Sequence, residues 1–184
     1  WNYGTFWHPV LVMHCVFERN TASQGGGIFA KSGINGIFLY VHDSDVNLNR
    51  AMLEGGGMYI SHYEEDLGHI FAHVIDIELS RFVENEAGTT GGGIHCDNYA
   101  SPTIKQCTIK KNTAMAGGGL DSHSTSLPSV EDTLFCGNAT PQRQGPWSDL
   151  GGNSFEDFCA TDCPADITRD GYVDVHDFSV LLVH

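Results

Sequence analysis

The stretch Phe17–Phe29, FERNTASQGGGIF, decides how this chain folds. It holds an apolar residue three positions before an asparagine, an alanine two positions after it, and a glycine triplet followed by an apolar pair. Glycine loses more backbone freedom on folding than any other residue, so three in a row need a structural reason. The pattern recurs. Glycine triplets followed by an apolar residue stand at Gly25–Ile28, Gly55–Met58, Gly91–Ile94 and Gly117–Leu120. Asn20, Asn49, Asn85 and Asn112 precede them, each followed by Ala22, Ala51, Ala87 or Ala114 and preceded by Phe17, Val46, Phe82 or Ile109. A fifth copy begins at Phe135 and Asn138 and then drifts, with its glycines read as delayed to Gly151 and Gly152.

The asparagines fall 29, 36, 27 and 26 residues apart. A period of this size with insertions is the mark of a solenoid, in which each repeat buries its apolar face against its neighbours. The runs HVIDIEL and SPTIKQCTI are rich in β-branched residues and read as strands. In a strand-based solenoid, equivalent corners stack at about 4.8 Å. A side chain at a crowded corner strikes the next coil, which gives Gly26, Gly56, Gly92 and Gly118 a role. Glycine and asparagine also tolerate left-handed backbone. Stacked Asn20, Asn49, Asn85, Asn112 and Asn138 would form an amide ladder.

The segments FERN…GGGI, FVEN…GGGI, IKKN…GGGL and FCGN resemble the FxxN and GG[A/G][I/L] repeats of polymorphic outer-membrane proteins and related bacterial surface proteins. The resemblance covers about residues 10–153. It implies a right-handed parallel β-helix displayed outside the cell, in a secreted or surface-bound bacterial protein.

The last segment has a different character. From Asp149 onward, eight acidic residues face one basic residue, Arg169. DITRDGYVDVHD, residues 166–177, follows a twelve-residue calcium-loop pattern. Calcium takes six to eight hard oxygen ligands, and alternating carboxylates with glycine at position six supply them. The expected ligands are Asp166, Thr168, Asp170, the Tyr172 carbonyl, Asp174 and Asp177, with Gly171 at the turn. With CPAD before it and VHDFSVLLV after it, the segment resembles one half of a dockerin type I repeat. A complete dockerin has two such repeats and binds a cohesin; only one is seen here. The expected domains are 1–153, the β-helix, and 154–184, an acidic linker and calcium-binding segment.

The formal charge of −14 argues against nucleic acid or anionic lipid as a partner. No stretch reaches the roughly 18 apolar residues of a membrane helix. No signal peptide is visible, and the chain begins at Trp1, as a processed chain or a fragment would. Six cysteines permit disulfides. Cys159 and Cys163 lie close enough to pair with each other, or one of them can reach Cys136. Cys15 and Cys107 also read as thiols stacked in a core.

Candidate carboxylate groups for polysaccharide chemistry are Asp43 with Asp45, Glu64 with Glu65 and Asp66, and Asp97 with His95. Each reads more simply as solvated surface, so an enzyme is not expected. His62, His69 and His73 share one insert but lie next to a strand pattern, which removes the helical spacing a metal pair needs. Asn138–Thr140 matches a glycosylation acceptor. The aromatic residues Trp1, Tyr3, Phe6 and Trp7 would cap the first coil or form an interface at its open edge. The expected function is a structural or adhesive surface module, self-associating end to end or meeting other surface or matrix proteins. The alternative is a carbohydrate-active β-helix, an enzyme or a glycan-binding module.

Overall fold

The computed structural model describes residues 9–32, 37–62 and 74–159. The expected calcium loop, Cys163, the N-terminal aromatic residues, Glu64 to Asp66, His69 and His73 lie outside the described residues. Among the described residues the chain is all-β and contains no helix. Its strands are short, and each pairs in parallel with strands one coil away.

Four stacked sheets result. The first face runs Val10–Met13, Phe38–His42, Val74–Glu78, Thr103–Lys105, Ser129–Glu131 and Ser148–Asp149. The second runs Val16–Glu18, Asp45–Asn47, Arg81–Val83, Thr108–Lys110, Leu134–Cys136 and Ser154–Glu156. The third is narrow, made of Thr21–Ala22, Arg50–Ala51 and Glu86–Ala87. The fourth runs Ile28–Ser32, Met58–His62, Ile94–Asp97, Leu120–Ser122 and Arg143–Gln144. This is a parallel β-solenoid. Pairing continues past residue 153, because Ser154–Glu156 aligns Phe155 with Phe135.

Alternation along each strand sets what points inward. Phe17, Val46, Phe82, Ile109 and Phe135 share one register column. The last four are buried and Phe17 is half-buried. Met58, Ile94 and Leu120, each directly after a glycine triplet, form a second buried column. Ile77, Ile104 and Val130 form a third. Each apolar rung packs on the equivalent rung of the next coil, so the core is continuous along the axis.

SPTIKQCTI is not one strand. It breaks into Thr103–Lys105 and Thr108–Lys110, with a left-handed residue, Gln106 (φ 51°), between them. Ile104 and Ile109 therefore belong to different faces. The same corner recurs at His14, Asp43, Leu79 and Asp132, all with positive φ. A small polar residue follows each: Cys15, Ser44, Ser80, Cys107 and Thr133. These form a second ladder, in which the backbone N–H of Cys15 donates to Ser44 Oγ at 3.1 Å, that of Ser44 to Ser80 Oγ at 3.2 Å, and that of Cys107 to Thr133 Oγ1 at 3.3 Å. Cys107 is buried in the core as expected, whereas Cys15, at the end of the same corner column, is only half-buried.

The fifth coil carries no glycine triplet. Gly118 and Gly119 donate to the carbonyls of Pro141 and Gln142 instead. Gly151 and Gly152 are not delayed members of the glycine column. They lie at the first corner of the next coil, where Asp132 N–H donates to the Gly151 carbonyl and Thr133 N–H donates to Asn153 Oδ1.

Candidate functional site

The asparagines hold the second corner. The left-handed residue is not the asparagine but the one before it: Arg19, Leu48, Glu84, Lys111 and Gly137, with φ of 56°, 56°, 55°, 53° and 59°. That turn aims each asparagine side chain into the rod. The backbone N–H of Asn20, Asn49, Asn85 and Asn112 donates to Oδ1 of the next asparagine at 3.0, 3.0, 2.9 and 2.9 Å. Each Nδ2 of Asn49, Asn85, Asn112 and Asn138 donates to the carbonyl of Phe17, Val46, Phe82 or Ile109 at 2.7–2.8 Å. A buried polar side chain is tolerable only when its groups are bonded in this way. Asn138 is 7% exposed and its amide nitrogen is already committed, so the NAT sequence offers no acceptor in the folded chain.

The three glycines of a triplet do different work. Gly25 has φ +60°, which favours glycine. A Cβ on Gly26 would collide with the Gly56 carbonyl oxygen, and one on Gly27 would lie 2.8 Å from Val46 Cγ1 and 2.9 Å from Asn49 Nδ2. The column is therefore set by close approach of neighbouring coils.

The end of the ladder is closed. Asn138 Nδ2 also donates to Gln142 Oε1 at 3.1 Å, and Gln142 Nε2 donates to the Glu156 carbonyl at 2.9 Å. The Arg143 guanidinium lies 4.3 Å from the Trp147 ring centroid, and Phe155 stacks on Phe135 at 4.9 Å. Cys136 and Cys159 form a disulfide, which resolves the cysteine alternatives for these two residues.

Among the described residues the candidate carboxylates each have a separate partner. Asp43 pairs with His14 at 2.8 Å and Asp45 with Arg81 at 3.5 Å. His95 is not solvated: it is buried, accompanied by Asp121 at 2.9 Å and Thr90 at 3.1 Å, with Tyr59 stacked on it at 5.4 Å. Asp97 instead accepts a hydrogen bond from Tyr59 at 2.9 Å. Burial, with Asp97 beside it, raises the Tyr59 phenol to about 12. Burial also pushes the Cys107 thiol up to about 12 and raises Cys96. These thiols are inert packing groups. His62 contacts Ser32 at 2.6 Å. Among the described residues no three His, Cys, Asp or Glu side chains gather as a metal site.

The first face carries a shallow cleft of about 300 Å³ lined by Tyr40, His42, Asp76, Glu78, Thr103 and Lys105. Tyr40, Asp76, Thr103 and Ser129 are register partners on successive coils. Beside them run His42, Glu78, Lys105 and Glu131, with Lys105 bonded to Glu131 at 3.1 Å. That bond raises the Lys105 pKa. Asp76 and Glu78 were missed as a site because they sit inside VIDIEL. Strand alternation was the signal that would have placed both outward.

Parallel coils, a closed asparagine ladder and a glycine column define a β-solenoid repeat protein. Over residues 14–31 the chain matches the Chlamydia polymorphic membrane protein repeat. That span covers the first corner, Asn20, the first glycine triplet and most of the strand Ile28–Ser32. The chain is also similar to metabotropic glutamate receptor-like protein R of Dictyostelium discoideum, 27% identical over 132 residues. That match covers 72% of this chain and 7% of the other, so the chain spans a small part of this relative. No solved structure matches.

Proposed function

We propose that the chain is an extracellular structural and adhesive module of a bacterial surface protein, a right-handed parallel β-helix that holds binding surfaces away from the cell. Right-handed winding is the hand that parallel crossover connections take. The observation that carries the reading is the match to a surface-protein repeat at residues 14–31, together with a rod whose interior asparagines are consumed by a ladder. Such an interior leaves the outer faces for recognition.

Two further parts belong to the proposal. Calcium binds at Asp166, Thr168, Asp170, Tyr172, Asp174 and Asp177 and stabilises the C-terminal segment. Self-association proceeds through the first coil, whose edge strands expose Val10, Leu11, Met13 and Val16. Unpaired strand edges bearing apolar side chains invite pairing with another chain. Electron microscopy with and without a calcium chelator tests the assembly: monomers in every condition would remove it. Calorimetry tests the metal, with uptake expected in the native chain and lost in Asp170→Ala. Equal uptake by both, or none by the native chain, would remove calcium from the account.

A further inference from the structure

Among the described residues, several charged side chains on the outer faces pair with one another. Asp45 holds Arg81, Arg50 holds Glu86, and Lys105 holds Glu131. One column differs. Tyr40, Asp76, Thr103 and Ser129 stand on four consecutive coils of the first face, all half-buried, and none has a side-chain hydrogen bond or ion pair among the described residues. Beside it His42 Nδ1 is buried without a partner. Three of the four residues line the cleft. Three coil steps make the strip about 14 Å long.

We propose that this strip binds a neutral polysaccharide strand lying along the solenoid axis. The Tyr40 ring offers an apolar face for the C–H side of a sugar ring. The Asp76 carboxylate accepts from neighbouring hydroxyls, a charge-assisted bond stronger than a neutral one. Thr103 and Ser129 each donate and accept. An anionic polymer is disfavoured by Asp76, Glu78 and Glu131 and by the −14 charge of the chain. The proposal names the ligand class of the surface module and rests on that reading only in this choice of ligand.

The test is affinity electrophoresis of the full chain through native gels containing arabinoxylan, galactomannan, mixed-linkage β-glucan or polygalacturonate. At least one neutral polymer is expected to retard the protein, and polygalacturonate is not. Tyr40→Ala and Asp76→Ala should each weaken the retardation about tenfold or more, which corresponds to about 1.4 kcal/mol. Thr108→Ala, on the second face, should leave it unchanged. Thr103→Val, which keeps the side-chain shape, should also weaken binding, so the conclusion does not hang on one variant's folding. Retardation by no neutral polymer, by polygalacturonate alone, or to the same extent in the strip variants overturns the proposal. Any of these outcomes leaves the assembly and calcium tests standing.

Discussion

Replacing Asn85 by alanine removes the middle rung of the asparagine ladder. Asn85 Oδ1 accepts from the backbone N–H of Asn49 at 3.0 Å and from its Nδ2 at 3.1 Å. Asn85 Nδ2 donates to the Val46 carbonyl at 2.7 Å and to Asn112 Oδ1 at 2.9 Å. Alanine leaves the Asn49 N–H buried without an acceptor and takes one donor from Val46. A buried polar group left unsatisfied costs about 1–3 kcal/mol, so the loss is about 3 kcal/mol or more once the vacated amide volume is included. Asn20→Ala provides the scale. Asn20 is exposed, its side chain donates one bond, to Asn49 Oδ1, and that oxygen keeps the Asn20 N–H. Its loss should cost under about 1 kcal/mol. Urea unfolding followed by far-UV circular dichroism reads both from the midpoints, with the slope checking that the cooperative unit is unchanged. Equal midpoint shifts for the two variants would refute the reasoning, because the ladder would then carry no more weight inside the rod than at its edge.

Gly26→Val should prevent folding or cost more than about 4 kcal/mol, since its side chain would overlap the Gly56 carbonyl; size exclusion and circular dichroism would show it. Leu48→Gly, at a left-handed exposed corner, should leave the unfolding free energy unchanged or raise it by up to about 1 kcal/mol, read from the urea midpoint. Opening the Cys136–Cys159 bridge in Cys159→Ala should cost about 3 kcal/mol, the entropy of a loop with sequence separation 23. The buried thiols give a pH dependence. Their folded-state pKa values are raised, so their contribution is complete below the unfolded thiol value of about 8.5 and is lost as pH rises from there through about 12 for Cys107. The urea midpoint should fall above pH 8.5, and less steeply in Cys107→Ala.

The sequence shows those parts of the fold in which every coil solves the same steric problem with the same residue. Glycine at 26, 56, 92 and 118 and asparagine at the second corner repeat because nothing else fits a carbonyl contact or an amide ladder there. The first corner was hidden. Its ladder accepts a thiol, a hydroxyl or an amide, and its left-handed residues, from His14 to Asp132, face solvent and share no chemistry. The fifth coil misled because Pro141 and Gln142 take the place of glycines through backbone carbonyls alone. His95 looked solvated because its partner, Asp121, lies a full coil away. The Tyr40–Ser129 strip was hidden for the same reason: its four residues are unlike one another and only the coil register aligns them.

The central claim is a continuous amide ladder through the rod, and side-chain amide hydrogen exchange measured by NMR tests it most directly. The Nδ2 protons of Asn49, Asn85 and Asn112 should exchange slowly and those of Asn20 fast, with Asn138 protected through Gln142. Uniformly fast exchange at all five asparagines would contradict the account.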